Sequence, residues 1–372
     1  MRTGVFTRSS LRVHSKTAWA YLLRGAGLLY LARQWVQRRG PIVLTFHRIL
    51  SESELQQTAS LPGMIVRDGT FDSFLQHASE FCEFVDLARE PVWGPSAKLR
   101  LAVTFDDGWF DNATAAHPAA QKHKTPIVIF IVPERMDTEL PFWPERAASA
   151  LDYGLAAGVP SGSRGYIEQT IEKLKGLPAQ ERADRIDQMT SAQTMWRSPA
   201  PVDTTMNWEQ IASLYAAGVI FGSHTSTHEI LTTIPIALAE AEIFNSRALI
   251  EQKLQTVCRL FSYPNGDCSE KVRDLVIRAG YEMAFLNQEP GVWTRECDPF
   301  LIPRVNVCEY HLVNAKGEFS PLIFDYAVVW NAAKGLMGRT LRNDLRKVRA
   351  IWQSFTARFG TQAGKKHLEK PS

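Results

Sequence analysis

The sequence predicts an α/β fold, a distorted, incomplete (β/α) barrel of about seven strands with a helical insertion and basic helical termini. Three observations carry the expectation. Short apolar runs recur at 41–47, 100–105, 127–132, 219–223, 260–263, 283–286 and 301–307, with helical patches between them. At 45% hydrophobic and 22% charged, the 372-residue chain can bury a large core without staples, and α/β barrels of this size form one unit. Finally, two of the runs end in polar residues, Asp106-Asp107 and His224, and the carboxyl ends of parallel strands are where such folds bind ligands.

Residues 1–40 form a basic segment with eight Arg or Lys and no acid. Its apolar stretch 18–32 is interrupted by Arg24 and falls short of the roughly 20 residues that a membrane span needs. A secretory signal would need an unbroken apolar region and a small-x-small cleavage site, and neither is clear. The segment reads as an amphipathic helix lying in a membrane interface or docked on the barrel, readings ranked above an Arg-rich, acid-poor presequence that is cleaved. A catalytic domain over 41–310 follows. Its first strand, Pro41-Ile42-Val43-Leu44-Thr45-Phe46-His47, ends in histidine. Helices are expected at 71–81, at 208–217 after the cap Asn207, at 236–252 and at 269–279. The stretch 142–202 breaks the βα rhythm: Phe142-Trp143-Pro144-Glu145 leads into a Gly/Ser-rich patch and a charged helical run, a helical insertion beside the rim. Beyond it lies a basic helical extension, 311–372, with Trp330, Leu336, Met337, Leu341, Leu345, Val348 and Trp352 at near-helical spacing. Residues 334–358 hold seven Lys or Arg against Asp344 alone.

Thr104-Phe105-Asp106-Asp107-Gly108, standing alone, is a turn, since Gly accepts positive φ and Asp bonds its own backbone. His224-Thr225-Ser226-Thr227-His228 on its own is a solvated histidine pair. Both follow apolar runs, however, so both belong to strand ends on one rim. Together they offer one carboxylate and two imidazoles to a divalent metal and leave a second carboxylate free as a base, the inventory of a metal-dependent hydrolase. The five cysteines (Cys82, Cys258, Cys268, Cys297, Cys308) show no C-x-x-C spacing, and their odd number and scatter argue against a disulfide framework.

On these two motifs the chain resembles the polysaccharide deacetylases of the NodB-homology type, carbohydrate esterase family 4, over roughly residues 41–308. The resemblance implies that Asp106 is the general base and that Asp107, His224 and His228 hold the metal. One carboxylate and two imidazoles suit Zn²⁺, and the ligand types also admit Co²⁺, Ni²⁺ or Fe²⁺.

Two departures from the family pattern matter. Where the third motif carries an Arg, this chain has Ser262, followed by Tyr263-Pro264-Asn265-Gly266. The late strand Phe300-Leu301-Ile302-Pro303-Arg304-Val305-Asn306-Val307 lacks the expected histidine. The chain is similar in this to the circularly permuted members, whose acid-bearing strand comes first, which makes His47 the expected general acid. Arg304 is the expected substitute for the missing Arg, keeping Asp106 ionised by opposite charge. Tyr263, Pro264 and Asn265 are expected to line the site, with a backbone N–H after Tyr263 on the oxyanion, and Phe142, Trp143 and Trp196 to stack on sugar rings.

The implied activity is deacetylation of N-acetylated sugars in a polysaccharide or lipid-linked glycan precursor. An O-acetyl esterase of the xylan type is the nearest chemical alternative, and a catalytically silent glycan- or membrane-binding module with the same fold is a third reading. The intact ligand set opposes the silent module. The basic termini suit peripheral contact with an anionic membrane. Nucleic acid is not an expected partner, because no basic motif is interleaved with aromatics. Without a clear signal or span, a cytoplasmic or membrane-peripheral location is expected.

Overall fold

The computed structural model describes residues 10–89, 93, 96–156, 163–191, 201–288 and 290–338. In chain order the strands are β1 (Ile42–Phe46), β2 (Arg48–Leu50), β3 (Ile65–Arg67), β4 (Cys82–Phe84), β5 (Leu99–Phe105), β6 (Ile127–Ile131), β7 (Ile220–Ser223), β8 (Leu260–Ser262), β9 (Met283–Phe285) and β10 (Val305–Asn306). Seven of them curl into one parallel sheet in the order β10-β1-β5-β6-β7-β8-β9, with β4 against the start of β5 and β2 paired with β3 apart from it. All seven apolar runs thus supply a barrel strand. The barrel is incomplete. Between β9 and β10 only a bridge joins Phe285 to Ile302, because Pro303 has no N–H for the ladder.

Alternation along the strands sorts their side chains into two layers. Val43, Ala102, Val128, Phe130, Leu260, Phe285 and Ile302 fill the barrel interior as one cluster. Leu44, Phe46, Val103, Phe105, Ile129 and Phe261 face outward against helix residues such as Phe71, Phe74, Ile211, Ile243 and Leu275. Gly222 belongs to the inner layer, where a Cβ would stand 2.5 Å from the Phe130 ring. Carried upward by the same two-residue period, the inner layer ends at the rim in His47, Asp106, His224, Ser262 and Arg304. Strand parity therefore decides which polar groups meet.

The outer helices Asp68–Phe81, Trp208–Ala216, Ile236–Leu254 and Glu270–Arg278 cover the expected segments. Asn207 and Gln210 form a reciprocal capping box, and the Ser269 side chain caps the last of these helices at Val272 N–H, each satisfying orphan donors of a first turn. Within its described parts the insertion is three helices, Trp143–Ala156, Ser163–Lys175 and Ala179–Ser191, sharing a small core of Ala147, Ala148, Ile167, Ile171, Leu174 and Ile186.

The N-terminal segment is two helices, Ser10–Gly25 and Leu28–Gln37, divided at Gly27 with φ 72°. Its second helix docks on the barrel: Ala32 and Val36 are buried in the main core, and Arg33 Nη1 lies 2.8 Å from Asp325 Oδ1. Ala20 and Leu29 pack with Leu322 and Ile323. The apolar C-terminal positions from Leu341 onward lie outside the described residues. None of the described helices is long and apolar enough to cross a membrane. All five cysteines are free thiols.

Candidate metal centre

Beyond β5 and β7 the backbone bends sharply. Asp107 (φ 76°) and Gly108 (φ 72°) turn the chain after Asp106, and Thr225 (φ 67°) and His228 (φ 71°) do the same after His224. Left-handed conformations cost about 1–3 kcal/mol each for non-glycine residues and cluster where function over-determines the backbone. Thr225, being β-branched, is the most strained by type. These bends bring three side chains together. Asp107 Oδ1 stands 3.6 Å from His224 Nε2 and 3.3 Å from His228 Nε2, and the three prospective ligand atoms all lie within 4.8 Å of one another.

The surroundings of the triad fit a cation. Asp107 Oδ2 accepts a hydrogen bond from Trp109 Nε1 at 2.9 Å, whereas Oδ1 is buried with no hydrogen-bond partner, an arrangement that is costly unless a positive group satisfies it. His224 Nδ1 is 2.8 Å from the Ser262 carbonyl. That carbonyl can only accept, so Nδ1 carries the proton and Nε2 presents its lone pair towards Asp107, the usual outer-shell arrangement of a metal-binding histidine. Burial pushes the His224 imidazolium down to about 4, leaving the ring in its neutral, ligating form. Burial works to raise the Asp107 carboxyl, but His228, then His47 and His224, hold it well below the usual carboxylate range.

Asp106 has a different environment. Arg304 Nη1 and Nη2 grip its two oxygens at 2.8 and 2.6 Å. The remaining guanidinium donors go to Leu286 O (3.0 Å), Thr104 Oγ1 (3.0 Å) and Ser262 Oγ (2.8 Å), so all five N–H groups are used. Burial would raise Asp106, but the charge and hydrogen bonds of Arg304, joined by His224 and His47, together outweigh it and lower the carboxyl. Ser262, at the position where the resemblance leads one to expect an Arg, is small enough to leave room for Arg304 arriving from the neighbouring seam. Asp106 Oδ2 is 4.0 Å from His224 Nε2, beside the triad but turned towards Arg304.

His47 immediately follows β1, which pairs with both β5 and β10. Its carbonyl accepts from Asn112 Nδ2 at 2.9 Å, and its Nδ1 is buried without a partner. It is close enough to Asp106 and Asp107 for its charged form to lower both carboxyls.

Other expected site residues are placed differently. Tyr263 has outward parity: its ring is buried against Phe261, its hydroxyl donates to Phe300 O at 3.1 Å, and its N–H is committed to Phe285 O at 3.0 Å. Pro264 is buried and Asn265 exposed, with the Asn265 side chain donating to Asp267 at 2.7 Å. Phe142 is buried, packed 5.1 Å from both Trp109 and His228, and so forms the wall of the triad rather than a stacking platform. One face of half-buried Trp143 is covered by Arg182, 4.9 Å away. Trp196 lies outside the described residues.

Three contributors escaped the sequence reading. Trp109 orients Asp107. Arg48 stacks on Trp109 at 4.2 Å and is itself fixed by Asp111 (2.7 Å) and Asp203 (2.8 Å). Glu145 is buried, and burial together with repulsion from Asp107 and Asp203 pushes its carboxyl up to about 8. Only the adjacency of Arg48 to His47 and of Trp109 to the Asp-Asp-Gly run hinted at them.

The model of the polysaccharide deacetylase family matches residues 94–284. Among solved structures, a Streptococcus pyogenes deacetylase in complex with acetate is similar at 15% identity and a TM-score of 0.48, over 76% of this chain and 100% of the other. A polysaccharide deacetylase from Bacillus cereus is similar at 15% identity and 0.49, over 78% and 69%. IcaB from Ammonifex degensii is similar at 17% and 0.49, over 80% and 98%. No curated protein matches the chain.

Proposed function

This chain belongs to the polysaccharide deacetylase family, and from that premise we propose that it removes acetyl groups from N-acetylated sugars of a polysaccharide or glycan precursor by metal-assisted hydrolysis. One observation carries the reading: two adjacent carboxylates are held in opposite states of readiness. Asp107 turns a partnerless oxygen towards two imidazoles, whereas Asp106 is withdrawn from them by a bidentate Arg304.

Asp107, His224 and His228 would hold the cation, Zn²⁺ best by donor type, with Co²⁺, Ni²⁺ or Fe²⁺ as alternatives. A bound divalent ion supplies Lewis acidity, lowering the pKa of water from about 15.7 towards 7. Asp106 accepts the proton of the attacking water, and Arg304 keeps that carboxylate ionised and aimed. Water oxygen bonds to the acetamide carbon, the carbon–nitrogen bond breaks, and His47 delivers a proton to the departing amine. Acetate leaves and the sugar retains a free amino group. The position of β1 between β10 and β5 supports an acid donated from the first strand, as in permuted relatives.

The test pairs two variants. His228→Ala should lose stoichiometric metal by elemental analysis, and Asp106→Asn should keep it while acetate release falls about 10²–10⁴-fold, the range for lost acid–base help. Full metal occupancy in His228→Ala would refute the ligand assignment.

Peripheral membrane contact belongs to the same proposal. Trp19, Tyr21, Leu22, Tyr30 and Leu31 are each more than half exposed on the two N-terminal helices, within a segment that holds eight cations and no acid of its own, one of them, Arg33, being paired with Asp325. Such a surface suits an anionic lipid interface, to which each Lys or Arg adds roughly 1 kcal/mol. Cosedimentation with anionic vesicles at low salt should exceed that with neutral vesicles, and equal binding would count against it.

A further inference from the structure

Beside the triad runs a groove of about 720 Å³ between the insertion and the loop that carries His228. Its volume is that of a small-molecule site. Arg135, Trp143, Arg146 and Arg182 line it, together with Thr227 and Glu229, the residues flanking His228. Phe142, packed against the His228 ring, precedes Trp143 in the chain. Thr227, Glu229 and Trp143 are thus chain neighbours of His228 and of Phe142, which packs on it.

Its charges do not cancel. Arg146 is paired with Asp187 at 2.7 Å, and Arg182 with Glu229. Arg135 has no acidic partner among the described residues, and its Nε is buried without a hydrogen-bond acceptor. Trp143 Nε1 is likewise buried and unpartnered. Since Arg182 covers one face of the indole, what Trp143 most distinctively offers is a donor. Two buried N–H groups without acceptors are costly, both belong to residues that line the groove, and an anionic acceptor bound there would suit them.

We propose that this groove binds an anionic substituent, a carboxylate or phosphate, on a sugar neighbouring the one that is deacetylated, and that the substrate is consequently an acidic glycan. The inference rests on the deacetylase reading for its location, and its binding test does not depend on turnover. Binding to the full-length, metal-loaded Asp106→Asn protein is measured by calorimetry with three probes: a tetrasaccharide alternating N-acetylhexosamine and uronic acid, a phosphate-substituted chitotetraose, and unsubstituted chitotetraose. An acidic probe should bind about ten- to a hundredfold more tightly than the neutral one, the strength of a charge-assisted hydrogen bond, and salt should erode the difference. Whichever acidic probe shows the preference identifies the anion. Arg135→Ala should lose about tenfold more affinity for that probe than for the neutral one, and Arg135→Gln should do the same with side-chain bulk preserved.

Equal affinities for all three probes, or equal losses across them in both Arg135 variants, would overturn the proposal. If the acidic preference holds but no probe yields acetate with the wild type, the groove stands and the deacetylase reading fails. If acetate is released without any acidic preference, the reverse is true.

Discussion

The two sides of the rim differ in how completely their polar groups are satisfied. On the seam side, formed by β5, β8 and β10, Arg304 uses every donor and Asp106 has both oxygens gripped, and Asn306 Oδ1 is the exception, buried without a partner. On the insertion side, Asp107 Oδ1, His228 Nδ1, Trp143 Nε1 and Arg135 Nε are all buried and unpartnered. Buried polar groups are normally paired, so the contrast separates what the protein holds in advance from what it keeps open for a ligand. On the proposed mechanism the seam side prepares the base, and the insertion side would receive a metal and a substrate.

The largest test of this contrast removes Arg304. Arg304→Met leaves Asp106 buried beside no cation, and breaking a buried pair from one side costs about 3–5 kcal/mol. Urea unfolding should show a loss of that size, and a second change, Asp106→Asn, should recover much of it. A loss no greater in Arg304→Met than in the double variant would mean that the guanidinium does not sustain the carboxylate.

A smaller effect is expected at His47, which stands between the two sides. His47→Ala should retain metal and lose about 10²-fold in turnover on an N-acetyl sugar, whose amine must be protonated to leave. On an aryl acetate, whose phenolate leaves unaided, the loss should be much smaller. Equal losses on both substrates would take the acid role from His47.

A further effect, confined to a pH window, concerns Glu145. Its carboxyl is pushed up to about 8 from an ordinary value of 4.5, so the folded, metal-free protein holds a proton that the unfolded chain releases. A raised carboxyl stabilises fully below the unfolded value, and that contribution is lost as pH rises from about 4.5 through about 8. Glu145→Gln cannot titrate. Its stability relative to wild type should therefore climb across this window and level off above it, as read by thermal unfolding in the presence of chelator. A flat difference would show that Glu145 is ordinary.

Much of the fold was legible because its signal is local. Every barrel strand announced itself as an apolar run, and Asn207 and Ser269 cap their helices from the positions at which a first turn needs an acceptor. The seam was less legible, since Pro303 shortens the last strand to Val305–Asn306. Parity explains the misplaced Tyr263: Ser262 faces the interior, so its neighbour must face the helices, and an aromatic beside a Pro-x-Gly turn looks the same from either side. Phe142 was mistaken for a platform because nothing in its neighbours reveals that Trp109 and His228 enclose it.

By itself the sequence determined the seven barrel strands, the four outer helices and the residue types that meet at the rim, but not the short strands β2, β3 and β4, because backbone periodicity and capping depend on residues a few positions apart. Only the tertiary structure decided how those residues divide their work. Arg304 reaches Asp106 across 198 positions of chain, Arg48 reaches Asp203 across 155, and Arg135 has no acidic partner among the described residues. Ion pairing and desolvation act through space, so which charge is neutralised and which stays open is settled when the sheet closes.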